Sequence, residues 1–423
     1  MIRRLYSALL VLLVPVAWLR LHWRGRREPL YRTAIGERFG RYLDAPSQGW
    51  LWLHAVSLGE TRAAAPLIEA LRQSMPGRPV LLTHGTATGR NAGAALLRPG
   101  DAQVWLPYDT RAAVRAFFVH FRPAVGVLME TEIWPNLLAE AQVRGVPMLL
   151  ANARMSERSR RRGQRVDALL RPAFASLTAV FAQSRADAGR LREAGASAVS
   201  VEGNLKFDID AEPRLIGMGR RWRAALAPRR VVLAASTREG EEASLLAAWQ
   251  AVPGPRPLLV IAPRHPQRFE AVAGLIAASG MSFARRSNWG ELPPAAVAVA
   301  DLWLGDSMLE MPVWYTLADV ALLGGSFEPL GGQNLIEAAA CGCPVVLGPH
   351  TFNFVDAAAL ALAAGAAVRV ATMEEGVARA LALVGSDEQA RRAAAALAFA
   401  AAHRGAARRM AAAISRAAAT AAA

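Results

Sequence analysis

The chain has 423 residues, of which 53% are hydrophobic and 20% are charged. This composition excludes a disordered or low-complexity protein, and the length predicts roughly two or three folded domains. The formal net charge of +15 comes almost entirely from arginine, which favours phosphate or carboxylate partners. Nucleic acid, anionic lipid and nucleotide all remain open on composition alone.

The cysteine content indicates a reducing compartment. Cys341 and Cys343 are separated by a single glycine, a spacing poorly suited to a disulfide. No other cluster of cysteine or histidine has the spacing of a metal site, so we expect neither a metal nor a disulfide.

The N-terminal stretch from Leu5 to Leu19 carries no charge and is flanked by arginines on both sides. This pattern predicts a membrane anchor with a basic flank over residues 1–27. The stretch is shorter than the roughly 20 apolar residues of a full crossing, and Pro15 favours a kink, so a crossing and a helix lying in the interface both stay open. A cleaved signal peptide is the alternative, but no small-x-small cleavage site follows and the downstream arginines oppose export. We therefore expect the bulk of the chain in the cytoplasm.

Beyond the anchor, short apolar runs alternate with amphipathic helical stretches, which is the pattern of parallel sheets covered by helices on both faces. The predicted strands of the first half are 51–56, 79–84, 102–107, 124–130, 147–152 and 179–183. Those of the second half are 229–236, 257–263, 318–325, 343–349 and 366–372. The sequence thus predicts an α/β fold of two Rossmann-like domains, 28–212 and 213–423, the second ending in an Ala/Arg-rich helix. In such sheets ligands bind at the carboxyl ends of the strands.

A glycine-rich segment in the second half has the features of an anion site. Gly324 and Gly325 end a predicted strand, and the pair Gly331 and Gly332 precedes a predicted helix that carries Glu337. Glycine lets backbone N–H groups approach a phosphate, and a helix N-terminus favours negative charge. The segment contains neither a Walker lysine nor GxGxxG, and glycine pairs alone mark tight turns more often than ligands. Glu337, suited to ribose hydroxyls, and the arginine-containing loop 263–269 favour a nucleotide pocket.

The motifs occur in the order of a known family. They are HAVSLGE, METEIWPNLL, NARMSERS, GNLKFD, RHPQRF, GDSMLEMPVWYTLADVALLGGSF, GGQNLIEAA and GPHTFNF. The chain resembles the transferases of 3-deoxy-D-manno-octulosonic acid (Kdo) in lipopolysaccharide biosynthesis. This resemblance implies a GT-B fold, two Rossmann-like domains facing a cleft, and transfer of Kdo from CMP-Kdo to a lipid A precursor. Two departures are Leu309, where the family has glycine, and Gln333, where it has histidine.

The resemblance implies that Glu60 is the general base. In an inverting transferase the acceptor hydroxyl loses its proton as it attacks the anomeric carbon, and a positioned carboxylate accepts it. Glu60 follows the first predicted strand and Gly59. The alternative role, a charge capping a helix that begins near Thr61, is compatible with catalysis.

The resemblance also implies a donor site in the second domain, with arginine, hydroxyl and helix N-termini meeting the charge of the leaving CMP without metal or cofactor. The expected donor-binding residues are Ser236, Thr237, Arg264, His265, Met308, Glu310, Met311, Gly325, Ser326, Gly332, Gln333, Asn334 and Glu337. For Ser236 and Thr237 helix capping is an equal alternative, and the methionines would equally suit a packing role.

The acceptor or donor-sugar side is expected in the first domain. The residues in shared motifs there are Ser57, Gly59, Arg90, Glu130, Glu132, Asn136 and Lys206. Arg90 and Lys206 suit a phosphate or carboxylate, whereas Glu130 and Glu132 have the alternative of pairing with arginines such as Arg154. His54, inside an apolar strand, is expected to be a core histidine.

The implied acceptor accounts for the anchor and the basicity together. A lipid A precursor is anionic and lies in the cytoplasmic leaflet of the inner membrane, so the enzyme is expected there as well. Two alternatives stay open: a GT-B enzyme that uses a UDP-sugar and a lipid-linked acceptor, and a non-catalytic membrane module that binds nucleotide or lipid. Nucleic acid is not an expected partner, because no recognised DNA or RNA module occurs.

Overall fold

The computed structural model describes residues 1–422 and divides into two compact units. The first unit contains Met1–Ile209 and the chain from Gly405 onward, and the second contains Asp210–Arg404. Each unit is built on one sheet of seven strands, and every pair of neighbouring strands is parallel. The α/β class with two doubly wound sheets is confirmed.

The first sheet has the strand order β3-β2-β1-β4-β5-β6-β7. Its strands are β1 Leu51–His54, β2 Val80–His84, β3 Ala102–Trp105, β4 Val125–Met129, β5 Met148–Ala153, β6 Ala179–Ala182 and β7 Val199–Val201. The central strands are buried on both faces, as expected for a parallel sheet between two helical layers.

Eight helices precede or connect these strands. They are α1 Ile2–Arg24, α2 Leu58–Ser74, α3 Ala87–Ala94, α4 Arg111–Phe121, α5 Pro135–Val143, α6 Glu157–Gln164, α7 Asp167–Ala175 and α8 Arg185–Glu193. Short 3₁₀ turns span Pro29–Arg32, Ile35–Phe39 and Leu205–Asp208. A serine or threonine side chain accepts a hydrogen bond from the first turn of α2, α3, α4, α6 and α8, and this fixes where each helix begins.

The second sheet has the order β10-β11-β9-β8-β12-β13-β14. Its strands are β8 Val231–Thr237, β9 Leu258–Pro263, β10 Phe283–Arg285, β11 Leu302–Leu304, β12 Val320–Leu323, β13 Val345–Leu347 and β14 Ala367–Arg369. Its helices are α9 Pro213–Leu226, α10 Glu241–Gln250, α11 Phe269–Ala278, α12 Ala295–Ala298, α13 Met311–Leu317, α14 Leu335–Ala340, α15 Val355–Ala363, α16 Met373–Leu383 and α17 Asp387–Ala402. Two 3₁₀ turns span Pro266–Arg268 and Arg286–Asn288.

The last helix, α18 Ala406–Ala422, packs on the first unit, whereas the sequence places it in the second domain. Its apolar stripe, which includes Met410 and Ile414, is buried in the same core as Leu67 of α2. The carboxylate of Asp208 accepts hydrogen bonds from the N–H groups of Gly405 and Ala407 and so caps the helix. The amphipathic pattern predicts the helix, but it does not identify the sheet against which the apolar stripe is buried.

Helix α1 is long and apolar enough, by length and composition, to cross a membrane. It is nevertheless attached to the first unit, because the Tyr6 hydroxyl donates a 2.9 Å hydrogen bond to Asp109 and the Ser7 hydroxyl a 3.0 Å bond to Asn136. Near its other end Leu21 is buried in a small cluster that includes Trp105. The opposite stripe of α1 leaves large apolar side chains exposed at Leu5, Leu9, Leu12, Val16, Leu19 and Trp23.

Candidate active site

The first unit brings three glutamates to the carboxyl ends of β1 and β4. These strands are neighbours in the sheet, and the strand order reverses between them, which is where open α/β sheets bind ligands. Glu60 lies in the first turn of α2, just after β1, and Glu130 and Glu132 follow β4 directly. All three side chains are half-buried.

Glu60 is held at the start of α2 by a reciprocal cap. Its Oε2 atom accepts a 2.9 Å hydrogen bond from the N–H of Val56, and its Oε1 atom accepts a 3.0 Å bond from the Ser57 hydroxyl. Ser57 in turn accepts the N–H of Glu60 at 3.4 Å. This resembles a capping box, except that Glu60 accepts the N–H of Val56, one residue before the N-cap Ser57. Helix α2 begins at Leu58 rather than near Thr61, so Gly59 belongs to the first helical turn. The capping role is real, and each carboxylate oxygen keeps a further lone pair for a substrate hydroxyl.

The surroundings of Glu60 make its carboxylate more basic than an exposed one. Burial raises the pKa of Glu60, and the nearby charge of Glu130 raises it further. The hydrogen bonds from Val56 and Ser57 and the charge of Lys206 act in the opposite direction. A raised pKa suits a group that must take a proton near neutral pH.

The pKa of Glu132 is also raised. Burial, and then the charges of Glu60 and Glu130, raise the pKa of Glu132 to about 7. Its Oε2 atom lies 3.9 Å from Nε2 of His54. His54 is fully buried, and burial lowers its pKa to about 3, so it is a neutral core histidine that donates or accepts through Nδ1 at Thr83. Glu130 and Glu132 make no ion pair with an arginine within residues 1–422, so the alternative pairing with Arg154 is not observed.

Three strand ends carry non-glycine residues with positive φ. These are Glu130 at 56°, Asn152 at 53° and Ser236 at 56°. Asn152 and Ser236 coincide with shifts of register between neighbouring parallel strands. Such conformations are sparsely populated and cluster at functional sites, so they support assigning function to these strand ends.

Asn152 is a positioning residue that the sequence analysis missed. Its Oδ1 atom accepts the N–H of Leu205 at 3.0 Å, which fixes the 3₁₀ turn that carries Lys206. The charge of Lys206 reaches Glu60, as its effect on the pKa of Glu60 shows. The sequence feature that could have identified Asn152 is its position at the end of a buried strand.

Two predicted residues of the first unit have structural partners instead. Arg90 forms an ion pair with Glu37 at 2.7 Å and lies over the Trp105 ring. Asn136 is buried and bonds to Ser7 and to the backbone oxygen of Asp109. The structure therefore brings Ser57, Glu60, Glu130, Glu132 and Lys206 together, and it leaves Arg90 and Asn136 outside this group.

In the second unit the strand order reverses between β8 and β12, and the glycine-rich segment follows β12. Gly324 passes so close to β8 that a Cβ atom there would lie 2.3 Å from the Ser236 oxygen. Gly325 has φ of 68°, and its oxygen accepts the N–H of Gly332 at 2.6 Å. Ser236, Thr237, Gly325 and Gly332 are thus brought to one edge of the sheet.

Glu241 holds this segment and was also missed. It is completely buried, and its carboxylate accepts hydrogen bonds from the N–H groups of Gly325, Phe327 and Arg238. A carboxylate with three backbone donors fixes the path of two loops at once. The sequence feature that could have identified Glu241 is the acidic start of α10, but acidic residues are ordinary at the start of a helix.

The remaining glycine-segment residues have distinct placements. Ser326 is buried, and its hydroxyl donates to Leu323 and accepts the N–H of Gly348 at 2.8 Å, so it joins two loops. Asn334 caps α14, and Gln333 is half-buried beside Gly325. Glu337 is half-buried in the first turn of α14.

The arginine-containing loop after β9 approaches the end of β8. The N–H of Arg264 donates a 3.0 Å hydrogen bond to the Thr237 oxygen, while the Arg264 side chain is exposed. Burial, and then the charges of Arg238 and Arg264, lower the pKa of His265. Thr237 itself is buried.

In the segment before α13, one of the residues expected to bind the sugar donor is paired with another residue of the protein. Both oxygens of Glu310 bond to Arg286 at 2.8 Å. Met308 is exposed, whereas Met311 at the start of α13 lies 3.8 Å from the Ser236 hydroxyl. Leu309 has φ of 69° and is exposed, so this departure from the family pattern occupies a position that suits glycine.

Comparison with known proteins identifies the family. The sequence profile of the 3-deoxy-D-manno-octulosonic acid transferases matches residues 33–209. The 3-deoxy-D-manno-octulosonic acid transferase of Bordetella pertussis is 47% identical over 421 residues, covering 96% of each chain. This chain belongs to the Kdo transferase family. The Kdo transferase of Haemophilus influenzae is 33% identical over 365 residues and 84% of each chain.

The Kdo transferase family is a family of glycosyltransferases, and the fold agrees with this membership. A glycosyltransferase from Rickettsia africae superimposes with a TM-score of 0.58 at 12% identity, covering 88% of this chain and 98% of the other. At this identity the likeness concerns the fold alone, which is GT-B. Among residues 1–422 no three His, Cys, Asp or Glu side chains form a group that would hold a metal ion.

Proposed function

We propose that this chain is an inverting, metal-independent transferase that moves Kdo from CMP-Kdo to the lipid A precursor of lipopolysaccharide, with Glu60 as general base. The observation that carries the proposal is the half-buried Glu60 carboxylate, fixed by Val56 and Ser57 at the reversal of strand order. Its raised pKa and its neighbours Glu130 and Lys206 suit proton transfer from a substrate hydroxyl.

The reaction is a single displacement. The acceptor oxygen forms a bond to the anomeric carbon while the bond from that carbon to the CMP phosphate breaks, and the acceptor proton passes to Glu60. Because the attack comes from the face opposite the leaving group, the anomeric configuration inverts. CMP leaves as a phosphate monoester, and its charge needs donors that are already in place.

The second unit is proposed to bind CMP-Kdo. Glu241 fixes the glycine segment at the end of β12 through the N–H groups of Gly325 and Phe327, and the exposed Arg264 side chain offers a guanidinium for phosphate. Glu337 is proposed to accept the ribose hydroxyls. Ser236 and Met311, which contact each other, are proposed to line the remainder of the nucleotide pocket.

We place the enzyme at the cytoplasmic face of the inner membrane. The exposed apolar stripe of α1 and the arginines around it suit a bilayer with an anionic surface. A phosphorylated lipid acceptor is presented at that surface, so attachment there brings the enzyme to its acceptor.

The direct test is an assay with CMP-Kdo generated in situ and a tetraacylated lipid A precursor as acceptor. Mass spectrometry of the lipid should show the addition of Kdo and should count the residues added. The same reaction with UDP-sugars in place of CMP-Kdo should give no product. Transfer from a UDP-sugar, or no transfer from CMP-Kdo by folded protein that binds CMP, would reject the assignment.

A further inference from the structure

Helix α6 exposes an arginine face. Arg158, Arg161, Arg162 and Arg165 are spaced so that they lie on one side of the helix, and all four are exposed. Arg161 pairs with Glu157 at 2.9 Å, whereas the side chains of the other three make no hydrogen bond or ion pair within residues 1–422. Like charges at this spacing repel one another, so the face is unfavourable until an anion binds to it.

An apolar cavity of about 200 Å³ lies under the same helix. Its lining includes the apolar side chains of Ile133, Leu150, Met155, Leu170 and Phe174, and three acidic residues, Glu130, Asp167 and Glu193, also line it. Arg154 and Arg160 also line it, and Arg160 is paired with Glu157 at 2.7 Å and with Glu193 at 3.2 Å. The volume is below the roughly 300 Å³ of a typical small-molecule site, so it suits the end of a chain rather than a sugar.

The cavity adjoins the carboxylates of the candidate active site. Glu130 is one of its lining residues, and the N–H of Arg154 donates a 3.4 Å hydrogen bond to the backbone oxygen of Glu130. The Arg154 side chain is half-buried and, in the part of the chain that the structure describes, has no ionic partner. Glu130, whose charge acts on Glu60, is thus shared by the cavity and the candidate active site.

We propose that the cavity and the arginine face of α6 bind the acceptor lipid, with an acyl chain in the cavity and a phosphate on the arginines. The inference rests on the proposed function and adds the part of the site that recognises the acceptor. Hydrocarbon gains by leaving water for an apolar wall, and guanidinium groups bind phosphate through paired hydrogen bonds. A substrate with both groups matches the cavity and the arginine face together.

The arginine face is tested by the triple variant Arg158→Ala/Arg162→Ala/Arg165→Ala. We expect the KM for the lipid acceptor, in detergent micelles, to rise about tenfold or more, while the KM for CMP-Kdo and the kcat at saturation stay unchanged. The matched control is Arg111→Ala/Arg115→Ala, which removes two exposed arginines of α4. The control should leave the acceptor KM unchanged.

The cavity is tested from its own wall at Gly163. A Cβ atom added there would meet only Leu170, at 3.7 Å, so larger side chains are compatible with the helix. Gly163→Leu should raise the KM for the acylated acceptor several-fold, and Gly163→Ala should have little effect. A deacylated, still phosphorylated acceptor should be used equally by Gly163→Leu and wild type.

The outcomes separate this inference from the proposed function. If wild type transfers Kdo and both variants keep its acceptor KM, the acceptor site is elsewhere and the inference is wrong. If wild type transfers nothing, the proposed function fails, and binding of radiolabelled acceptor micelles without CMP-Kdo decides the site by the same comparison. If the triple variant loses binding to phosphatidylglycerol vesicles but keeps its acceptor affinity in micelles, the arginines contact bulk membrane and the inference is overturned.

Discussion

The Oε2 atom of Glu132 lies 3.9 Å from the Nε2 atom of His54, a buried nitrogen that has no hydrogen-bond partner among the described residues. Because His54 is neutral, it does not offset the charge of Glu132. Burial, and then the charges of Glu60 and Glu130, therefore keep the Glu132 carboxyl group protonated to higher pH.

This cluster has a consequence for stability. The pKa of Glu132 rises from 4.5 to about 7 on folding, so its favourable contribution is complete below pH 4.5 and is lost as the pH rises to about 7. Glu132→Gln should therefore be more stable than wild type at pH 8 by about 1 to 3 kcal/mol, and the gain should disappear near pH 4.5. Urea unfolding at both pH values measures the difference, with the exposed Glu291→Gln as control. A gain that is equal at both pH values would contradict the assignment.

The charge of Glu130 should be visible in the pH dependence of transfer. Glu130 raises the pKa of Glu60, and the ionised form of Glu60 is the proposed general base. Glu130→Gln should therefore move the acid limb of the kcat/KM profile to lower pH. The matched variant Glu140→Gln, on α5, should leave the limb in place. If the acid limb of Glu130→Gln stays in place or moves to higher pH, the charge of Glu130 does not raise the pKa of the base.

Glu241 should matter for donor binding without touching the donor. A glutamine at this position keeps one acceptor oxygen but places an NH₂ group against backbone N–H groups that now bond to Glu241. We expect the Kd for CMP to rise about tenfold or more in Glu241→Gln, with a lowered Tm. The exposed Glu291→Gln is the control for calorimetry. Unchanged CMP affinity in the folded variant would show that the glycine segment does not hold the nucleotide.

Leu309 tests whether the loop before α13 is strained. Its φ of 69° costs a non-glycine residue about 1 to 2 kcal/mol, while glycine costs about 0.5 to 1 kcal/mol of backbone entropy. Leu309→Gly should therefore raise the free energy of unfolding by up to about 1 kcal/mol, since the exposed side chain loses little burial. Leu309→Ala keeps the Cβ atom and should give no gain. If Leu309→Gly loses more stability than Leu309→Ala does, the backbone at Leu309 is not strained.

The long apolar strands and the strand-end positions of Glu60, Glu130 and Glu132 follow from the sequence, because burial on both faces leaves a continuous apolar run. The strands β7, β10 and β11 have three residues each and were missed, whereas the equally short β13 and β14 were predicted because they lie within longer apolar runs, 343–349 and 366–372. The partners of Arg90 and Asn136 depend on contacts between distant parts of the chain, as when Ser7 bonds to Asn136 across 129 positions. No local pattern encodes such contacts, and the same reason explains the unexpected packing of α18.

The central claim is that Glu60 removes the acceptor proton. The decisive measurement is the single-turnover rate of Kdo transfer by wild type and by Glu60→Gln, with CMP affinity and Tm measured on the same preparations. We expect a rate lowered by roughly 10² to 10⁴, with CMP affinity unchanged, because glutamine keeps the cap but cannot take the proton. A folded Glu60→Gln variant that transfers Kdo at the wild-type rate would contradict it.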